Sequence, residues 1–352
     1  MNYICTWFCA DEKGEESIFP QSGKSSSSKS HQDIYWRCLI VFYITSKKFN
    51  KEQKHLLFTN ISQLPLVDGR NVQDLLEDLG VEVIHTDFKY KTPRGYFGMF
   101  QNQFYEFSIL EYIAVHNKNP GDMYLILDSD CIFIKPAAKL FEAAASEGFI
   151  SYAMDYSEDH VIHGISRKEM KEIYEELLEE QINEVPAYHL GEFYLASVEN
   201  TVRIFNDFKT LWPVLLKRFA EGKKKFNEEA HTLSYLYYKN GFRPSENDTY
   251  IKRMWTNPVF HRNVKATDGN LTIWHLPAEK TFGLAALYSY LLNKAEYGMN
   301  CNDAEFTQLI KKTLGIPHLS ASRKLEYLVV SYSRALKKRI INIKRNLSRA
   351  TA

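Results

Sequence analysis

The first 135 residues alternate short apolar runs with segments of helical periodicity. Apolar runs predict buried strands at residues 3–9, 55–60, 81–86 and 123–130. Apolar positions at spacings of three and four predict helices over 33–49, 71–80 and 102–117. Strands that alternate with helices are typical of a doubly wound α/β sheet, which binds ligands at the carboxyl ends of its strands. We therefore expect an α/β fold.

The second half of the chain predicts further helices and a distinct C-terminal segment. Helices are expected over 166–184, 198–220 and 227–242, a loop entering a strand over 187–197, and a late strand over 271–277. Residues 322–348 place apolar side chains at spacings of three and four, with Lys and Arg on much of the other face. Because no repeat or linker precedes residue 320, we expect one domain over 1–320 and a basic amphipathic tail over 321–352.

Composition and charge narrow the class of protein. The chain is 45% hydrophobic and 25% charged with a net charge of +1, which argues against nucleic-acid binding by charge. Nine Lys and Arg face one acid, Glu326, from Arg323 onward. The five cysteines show no disulfide or zinc spacing, and no apolar run is long enough to span a membrane. We expect free thiols and a cytoplasmic protein. The basic tail is expected on the inner face of an anionic membrane, and a helix that packs on the domain is the alternative.

The stretch "MYLILDSDCIFIKP", residues 123–136, places two carboxylates inside an apolar run. In a strand, Asp128 and Asp130 would point to the same side, and such oxygen pairs suit Mg²⁺ or Mn²⁺. The alternative, without a metal-binding role, is a solvated turn at a strand end. Apolar flanks on both sides favour the metal-binding interpretation, because burial of two carboxylates needs a counter-charge.

Two other classes remain open from the residues. A phosphatase of the haloacid dehalogenase type also has a DxD after an apolar strand, with the first aspartate, here Asp128, as nucleophile. That motif usually lies near the N-terminus and precedes Gly-Thr, whereas Cys-Ile follows here. The third class is a non-catalytic protein that binds nucleotide-sugars or membranes.

Several stretches within residues 1–290 resemble stretches of known glycosyltransferases and follow one another in the same order along the chain. "LILDSDCIFIKP" resembles the DxD motif of GT-A-fold enzymes. Four stretches resemble the ABO and α-1,3-galactosyltransferase family: "HLLFTN", "FQNQFYEFSIL", "YHLGEFYLASVENT" and "NEEAHTLSYLYYKNG". "IWHLPAEK" is more similar to the glycogenin-like family. Asn227 and Ala230 depart from the first family's pattern. The resemblance implies a GT-A fold, with a Rossmann-like mixed sheet flanked by helices.

The resemblance also implies a donor site. Asp128, Asp130 and His275 would hold Mn²⁺ or Mg²⁺ against the diphosphate of a nucleotide-sugar. The remaining nucleotide contacts are expected from Thr6, Gln101, Asn102, Asp128 and Lys280. A lone histidine after a late strand is usually structural, so the expectation for His275 depends on the metal's need for a third ligand.

Two glutamates are the expected catalytic residues. Glu229 matches the acid that stabilises or attacks the anomeric carbon in retaining transfer, although any acid at a helix start is favoured by the helix dipole. Glu192 would bind sugar hydroxyls or act as a base. The expected function is metal-dependent transfer from a UDP-sugar to a glycan or lipid-linked acceptor, in cell-surface polysaccharide or glycolipid synthesis. The resemblance implies retention of configuration, whereas inversion follows if Glu192 or Glu229 acts as a base.

Overall fold

The computed structural model describes residues 1–17, 19, 24–244 and 250–332 of the 352-residue chain. The strands are β1 (Asn2–Phe8), β2 (Lys54–Thr59), β3 (Leu66–Val67), β4 (Arg70–Asn71), β5 (Val81–His85), β6 (Met123–Leu127), β7 (Cys131–Phe133), β8 (Phe149–Met154), β9 (Val161–Ile162), β10 (Ile165–Ser166), β11 (Tyr188–Ser197), β12 (Ile251–Arg253), β13 (Thr256–Asn257), β14 (His261–Arg262) and β15 (Ile273–His275). The helices are α1 (Lys29–Phe49), α2 (Val72–Asp78), α3 (Tyr105–His116), α4 (Ala138–Glu147), α5 (Arg167–Leu178), α6 (Val198–Ala220), α7 (Glu229–Lys239), α8 (Gly283–Leu292) and α9 (Asp303–Leu314). Residues 321–332 are also helical.

A six-stranded sheet in the order β5-β2-β1-β6-β11-β8 forms the centre of the molecule. Strands β5, β2, β1 and β6 are parallel, whereas β11 pairs antiparallel with both β6 and β8. This is the Rossmann-like mixed sheet flanked by helices that the resemblance to GT-A-fold enzymes implied. The prediction of the fold class is therefore confirmed.

The central strands bury side chains on both faces of this sheet, because side chains alternate along a strand. On β1, Ile4 lies in a core with residues of α1 and α8, whereas Cys5 lies in a core with residues of α3 and α6. Leu125 and Ile126 of β6 divide between the two cores in the same way. Burial on both faces explains why these strands have continuous apolar runs rather than alternating ones.

A smaller sheet in the order β12-β15-β7 lies beside the large one. Residues 128–130 connect β6 in the large sheet to β7 in the small sheet, so both aspartates lie at the junction of the sheets. Strand β15 pairs antiparallel with β7 and parallel with β12, which places His275 opposite Cys131 and Arg253 opposite His275. The register of three short strands thus brings distant parts of the chain to one place.

Some element boundaries differ from the predictions. Strand β6 ends at Leu127, and Asp128 to Asp130 form a turn in which the Cys131 N–H donates to the Asp128 carbonyl at 3.0 Å. The prediction of a strand through residue 130 is wrong, because the chain turns there to enter the second sheet. Helix α1 begins at Lys29 rather than 33, since the Ser28 side chain accepts the His31 N–H and caps the helix.

Helix α5 ends at Leu178, six residues before the predicted end. Its C-cap, Glu179, has a left-handed φ of 56°, which stops the helix. Helices α4, α8 and α9 and strand β8 were not predicted. Helix α4 buries only Leu140, Phe141 and Ala144, which gives too few apolar positions for a clear helical pattern.

The helix at residues 321–332 packs on the domain through a polar group that we call the C-terminal anchor, namely Glu279, Arg323 and Tyr327. Glu279 is fully buried, and its Oε2 accepts hydrogen bonds from Arg323 Nη2 and the Gly283 N–H, both at 2.9 Å. Its Oε1 accepts a hydrogen bond from the Tyr327 hydroxyl. The anchor therefore ties this helix to the loop between β15 and α8.

The opposite face of the same helix is apolar and exposed. Leu325, Val329 and Tyr332 are 62%, 62% and 71% exposed. The predicted continuation of the helix to residue 348 lies outside the described residues. Within the described ranges, no helix combines the length and apolar character needed to cross a membrane.

All five cysteines are free. Cys5, Cys9, Cys38 and Cys131 are buried, whereas Cys301 is half-buried. Burial raises the pKa of the Cys5 and Cys131 thiols well above the usual value, and that of Cys38 to about 12.

Candidate active site

A cleft of about 340 Å³ opens at the carboxyl ends of β1 and β6. Part of its wall is aromatic, with Trp7 and Phe8 from β1, Tyr35 from α1, and Phe100. The rest includes a cluster of carboxylates, imidazoles and cations that come from separate parts of the sequence. The cleft lies at the strand ends where an α/β sheet is expected to bind ligands.

Asp128, Asp130 and His275 form the centre of this cluster. One potential ligand atom from each lies within 4.8 Å of the others. His275 Nε2 lies 3.2 Å from Asp130 Oδ2 and 3.7 Å from Asp128 Oδ2, and Lys280 Nζ lies 2.6 Å from Asp130 Oδ1. Two carboxylates and one imidazole are a donor set that fits Mn²⁺ and accepts Mg²⁺.

The charges of this cluster balance one another. Burial and the charge of Asp130 raise the pKa of Asp128 to about 6. Burial would also raise the pKa of Asp130, but Lys280 and His275 hold it well below its usual range. Burial would lower the pKa of His275, yet Asp130 and Glu192 raise it to about 9. A divalent cation would take over the role that the His275 proton has here.

Glu192 lies on β11, in a stretch where the pairing register with β8 shifts between His189 and Tyr194. Its carboxylate accepts two hydrogen bonds from Arg253, with Nε to Oε1 at 2.7 Å, and lies 3.0 Å from His275 Nδ1. Burial would raise the pKa of Glu192, but Arg253 and His275 lower it to about 2. Glu192 is therefore ionised and engaged on both oxygens.

Arg253 lines the cleft but had no signal in the sequence. It follows a polar segment with no motif, and only the pairing of β12 with β15 brings it beside His275. Its two hydrogen bonds to Glu192 make it the counter-charge of a buried carboxylate.

Glu229 opens α7 and lines the cleft. It is 3% exposed, and its buried Oε2 has no hydrogen-bond partner in the described part of the chain. A Cβ at Gly191 would come within 2.2 Å of Glu229 Oε1, so the carboxyl packs directly on the glycine backbone. Burial and the charge of Glu228 raise the pKa of Glu229 well above its usual range. Burial therefore favours the protonated form of this carboxyl.

The neighbouring Glu228 has the opposite character. It is 2% exposed, its Oε1 accepts a hydrogen bond from the Tyr188 hydroxyl at 2.6 Å, and its Oε2 contacts His163 Nδ1. Burial would raise the pKa of Glu228, but His231, His163 and Tyr188 together lower it. The pKa values of two adjacent acids are thus shifted in opposite directions.

The expected nucleotide contacts are only partly brought to the cleft. Asn102 lines it and donates to the Cys9 carbonyl at 3.2 Å, and Lys280 also lines it. Thr6 is fully buried within β1 and does not line the cleft. Gln101 also lies off the cleft, because its amide group bonds to Thr92 and to the Met99 carbonyl.

Comparison with known proteins gives matches in fold alone. No protein-family model matches the chain, and no curated protein is detectably similar in sequence. Mouse xyloside xylosyltransferase 1, in its apo form, is 13% identical, with 78% of this chain and 97% of that chain covered and a TM-score of 0.43. The galactosyltransferase LgtC, in complex with donor and acceptor sugar analogues, is 11% identical, with 84% and 98% covered and a TM-score of 0.48. Both are glycosyltransferases by name, the class that the DxD resemblance implied.

Proposed function

We propose that this chain is a metal-dependent glycosyltransferase that moves a sugar from a nucleotide-sugar, a UDP-sugar by resemblance, to an acceptor hydroxyl. The observation that carries the proposal is the cluster of Asp128, Asp130 and His275 in a cleft at the strand ends. Lys280 adds a cation beside the same carboxylates. Such a set of groups suits a diphosphate bound through a divalent metal ion.

Each part of the cleft has a role in this proposal. Asp128, Asp130 and His275 would hold Mn²⁺ or Mg²⁺, which supplies positive charge against the departing diphosphate. Lys280 binds a diphosphate oxygen, Asn102 contacts the nucleoside, and the aromatic wall offers faces for stacking. Glu192 keeps His275 and Arg253 in place, so its proposed part is to orient groups that contact the substrate.

Glu229 is the proposed contact to the transferred sugar. Its unpartnered Oε2 supports this role, because a buried polar atom without a partner is costly unless a ligand meets it. Burial and the charge of Glu228 raise the pKa of Glu229 well above its usual range, which disfavours the ionised form that would stabilise or attack the anomeric carbon. Retention of configuration would follow from that role, and NMR of the product's anomeric proton tests it.

The test of the proposed function is a screen of UDP-, GDP-, CMP- and TDP-sugars with Mn²⁺, with nucleotide release as the measurement. We expect release from one donor class, and a loss of at least about 100-fold in Asp128→Ala and Asp130→Ala, given the several kcal/mol that a bound metal contributes. Asp159→Ala is the matched control, since that aspartate is 78% exposed and lies outside the cleft. Normal turnover in either cleft variant would contradict the proposal.

The same assays separate the two other classes. Hydrolysis of a phosphomonoester without any sugar donor would favour the phosphatase, and tight donor binding without turnover would favour a non-catalytic protein. Neither class is favoured here, because His275 joins the two aspartates as a third possible metal ligand and the motif lies far from the N-terminus, where the phosphatase motif usually stands.

We also propose a lipid-linked acceptor at an anionic, cytoplasmic membrane surface, in cell-surface polysaccharide or glycolipid synthesis. The support is the exposed apolar face of Leu325, Val329 and Tyr332 together with the excess of Lys and Arg after residue 322. Removal of residues 333–352 leaves the C-terminal anchor intact and takes away seven of the nine Lys and Arg together with the apolar positions beyond residue 332, so it tests this part of the tail as a whole. We expect this truncation to reduce sedimentation with phosphatidylglycerol vesicles. Unchanged sedimentation would contradict the proposal.

A further inference from the structure

A second polar group lines the cleft apart from the metal-binding cluster, and the proposed function does not use it. It consists of His163, between β9 and β10, and Glu228, the N-cap of α7. His163 Nδ1 contacts Glu228 Oε2, and the Tyr188 hydroxyl donates to the other oxygen of the same carboxylate. Glu228 is therefore fixed by two hydrogen-bond partners.

His163 is held in an unusual backbone conformation. Its φ is 43°, which is uncommon for a residue other than glycine. Asn227 Nδ2 donates to the His163 carbonyl at 2.9 Å, and the imidazole ring lies 5.0 Å from the ring of Phe100. These contacts to the backbone carbonyl, the ring and Nδ1 of His163 fix the imidazole. The side chain is still 36% exposed.

We propose that His163 is the general base that accepts the proton of the acceptor hydroxyl, and that Glu228 is its positioning residue. A carboxylate that accepts a hydrogen bond from Nδ1–H selects the tautomer whose Nε2 carries a lone pair. The inference rests on the proposed function, since it assigns the acceptor side of that same reaction.

The proposed reaction exchanges one bond at the anomeric carbon and moves one proton. The acceptor oxygen forms a bond to the anomeric carbon, and the bond from that carbon to the phosphate oxygen breaks with its electron pair going to the diphosphate. The acceptor proton moves to Nε2 of His163, and the negative charge of Glu228 stabilises the imidazolium that results. No oxidant or further reactant is needed.

The other acids and bases described in the cleft are less suited to accept this proton. Glu192 is engaged by Arg253 and His275. Glu229 packs on the Gly191 backbone and is the proposed contact to the transferred sugar. Both nitrogens of His275 face carboxylates.

The test compares His163→Ala and His163→Gln with His160→Ala, using the nucleotide-sugar that the wild type cleaves. His160 lies just before β9, stacks on Tyr156 and does not line the cleft, so it is the matched control. Nucleotide release is measured with water and with sodium azide as nucleophiles. Azide has no proton to lose and therefore needs no base.

With water, we expect both His163 variants to lose about 10²- to 10⁴-fold in rate, the usual contribution of a general base, and His160→Ala to match the wild type. With azide, we expect formation of the glycosyl azide to return to within about threefold of the wild-type rate, because only the proton transfer has been removed. His163→Gln covers the case in which alanine unfolds the loop. Melting temperature and Mn²⁺-dependent donor binding are measured for each variant.

Two results would overturn the inference while the proposed function stands. One is a rate with water in the His163 variants equal to that of His160→Ala. The other is a loss that azide does not restore although donor binding is normal. A wild type that binds the donor but never cleaves it would instead contradict the proposed function, and the inference with it.

Discussion

The imidazole of His275 is fixed on both of its nitrogens. Nδ1 lies 3.0 Å from Glu192, and Nε2 lies 3.2 Å from Asp130. A carboxylate behind a metal-binding histidine fixes its ring and raises its basicity. Glu192 can therefore influence metal binding without contacting the metal.

Glu192→Gln is expected to weaken Mn²⁺ binding by about 10- to 100-fold, the usual effect of losing such a partner. The amide keeps the size of the side chain but loses the charge that holds His275 and Arg253. Mn²⁺ titration followed by electron paramagnetic resonance measures the affinity directly. Glu199→Gln, an exposed residue in the first turn of α6, is the control. Equal affinity in both variants would show that Glu192 does not position the ligand.

At the scale of single residues, some residues of the cleft were predictable from the sequence and others were not. Asp128 and Asp130 were predictable because two carboxylates between apolar runs need a counter-charge. Arg253 and the partnership of His163 with Glu228 were not predictable, because each depends on a contact between segments that are distant in sequence.

At the scale of elements, the turn at 128–130 and the irregular pairing of β11 place the site. The aspartates share a cleft because the chain turns between two sheets there, and not because they alternate along a strand. In β11, the shift between His189 and Tyr194 brings Glu192 to the cleft. No hydrophobic pattern predicts such a shift, since the segment "YHLGEFYLAS" is almost wholly buried.

The C-terminal anchor gives a prediction about stability. Arg323→Ala leaves the buried Glu279 carboxylate without its cation, which should cost about 3–5 kcal/mol in the free energy of unfolding. Lys324→Ala, at an exposed neighbouring position, should change that free energy by less than about 0.5 kcal/mol. Urea denaturation measures both variants. A similar small effect in both would mean that the helix at 321–332 does not depend on this ion pair.

At the scale of the whole molecule, the fold class followed from alternating apolar and helical segments. The order of the strands did not, because β11 enters the sheet antiparallel between β6 and β8 from far along the sequence. Strand β15 lies within the predicted late strand over 271–277, but β12 and the pairing of β12, β15 and β7 into a separate sheet were missed, since strands of three residues carry too little pattern.

Buried histidines predict how stability depends on pH. Burial, together with the charge of Lys47, lowers the pKa of His55 from 6.5 to about 3. The unfolded chain therefore binds a proton at His55 that the folded chain does not, so this contribution to stability is present above pH 6.5 and is lost as pH falls toward 3. At pH 5 the loss is about 2 kcal/mol relative to pH 7.

A variant without His55 does not lose this stability at low pH. Comparing its free energy of unfolding with that of the wild type at two pH values therefore isolates the contribution of His55. His55→Gln breaks hydrogen bonds to Ser46 and Gln53 and should be destabilised at pH 7. The difference from the wild type should then move by about 2 kcal/mol in the variant's favour at pH 5. Urea denaturation at both values measures it, with the exposed His318→Gln as control. A difference that does not change with pH would contradict the prediction.

The burial of the cysteines has a practical consequence for following this protein in solution. Thiol reagents react with the thiolate, and burial of Cys5, Cys9, Cys38 and Cys131 both shields these sulfurs and raises their pKa. This holds even for Cys9, which lines the cleft. A maleimide fluorophore should therefore attach at Cys301 in the native chain, which labels the protein at a single site without substituting any residue.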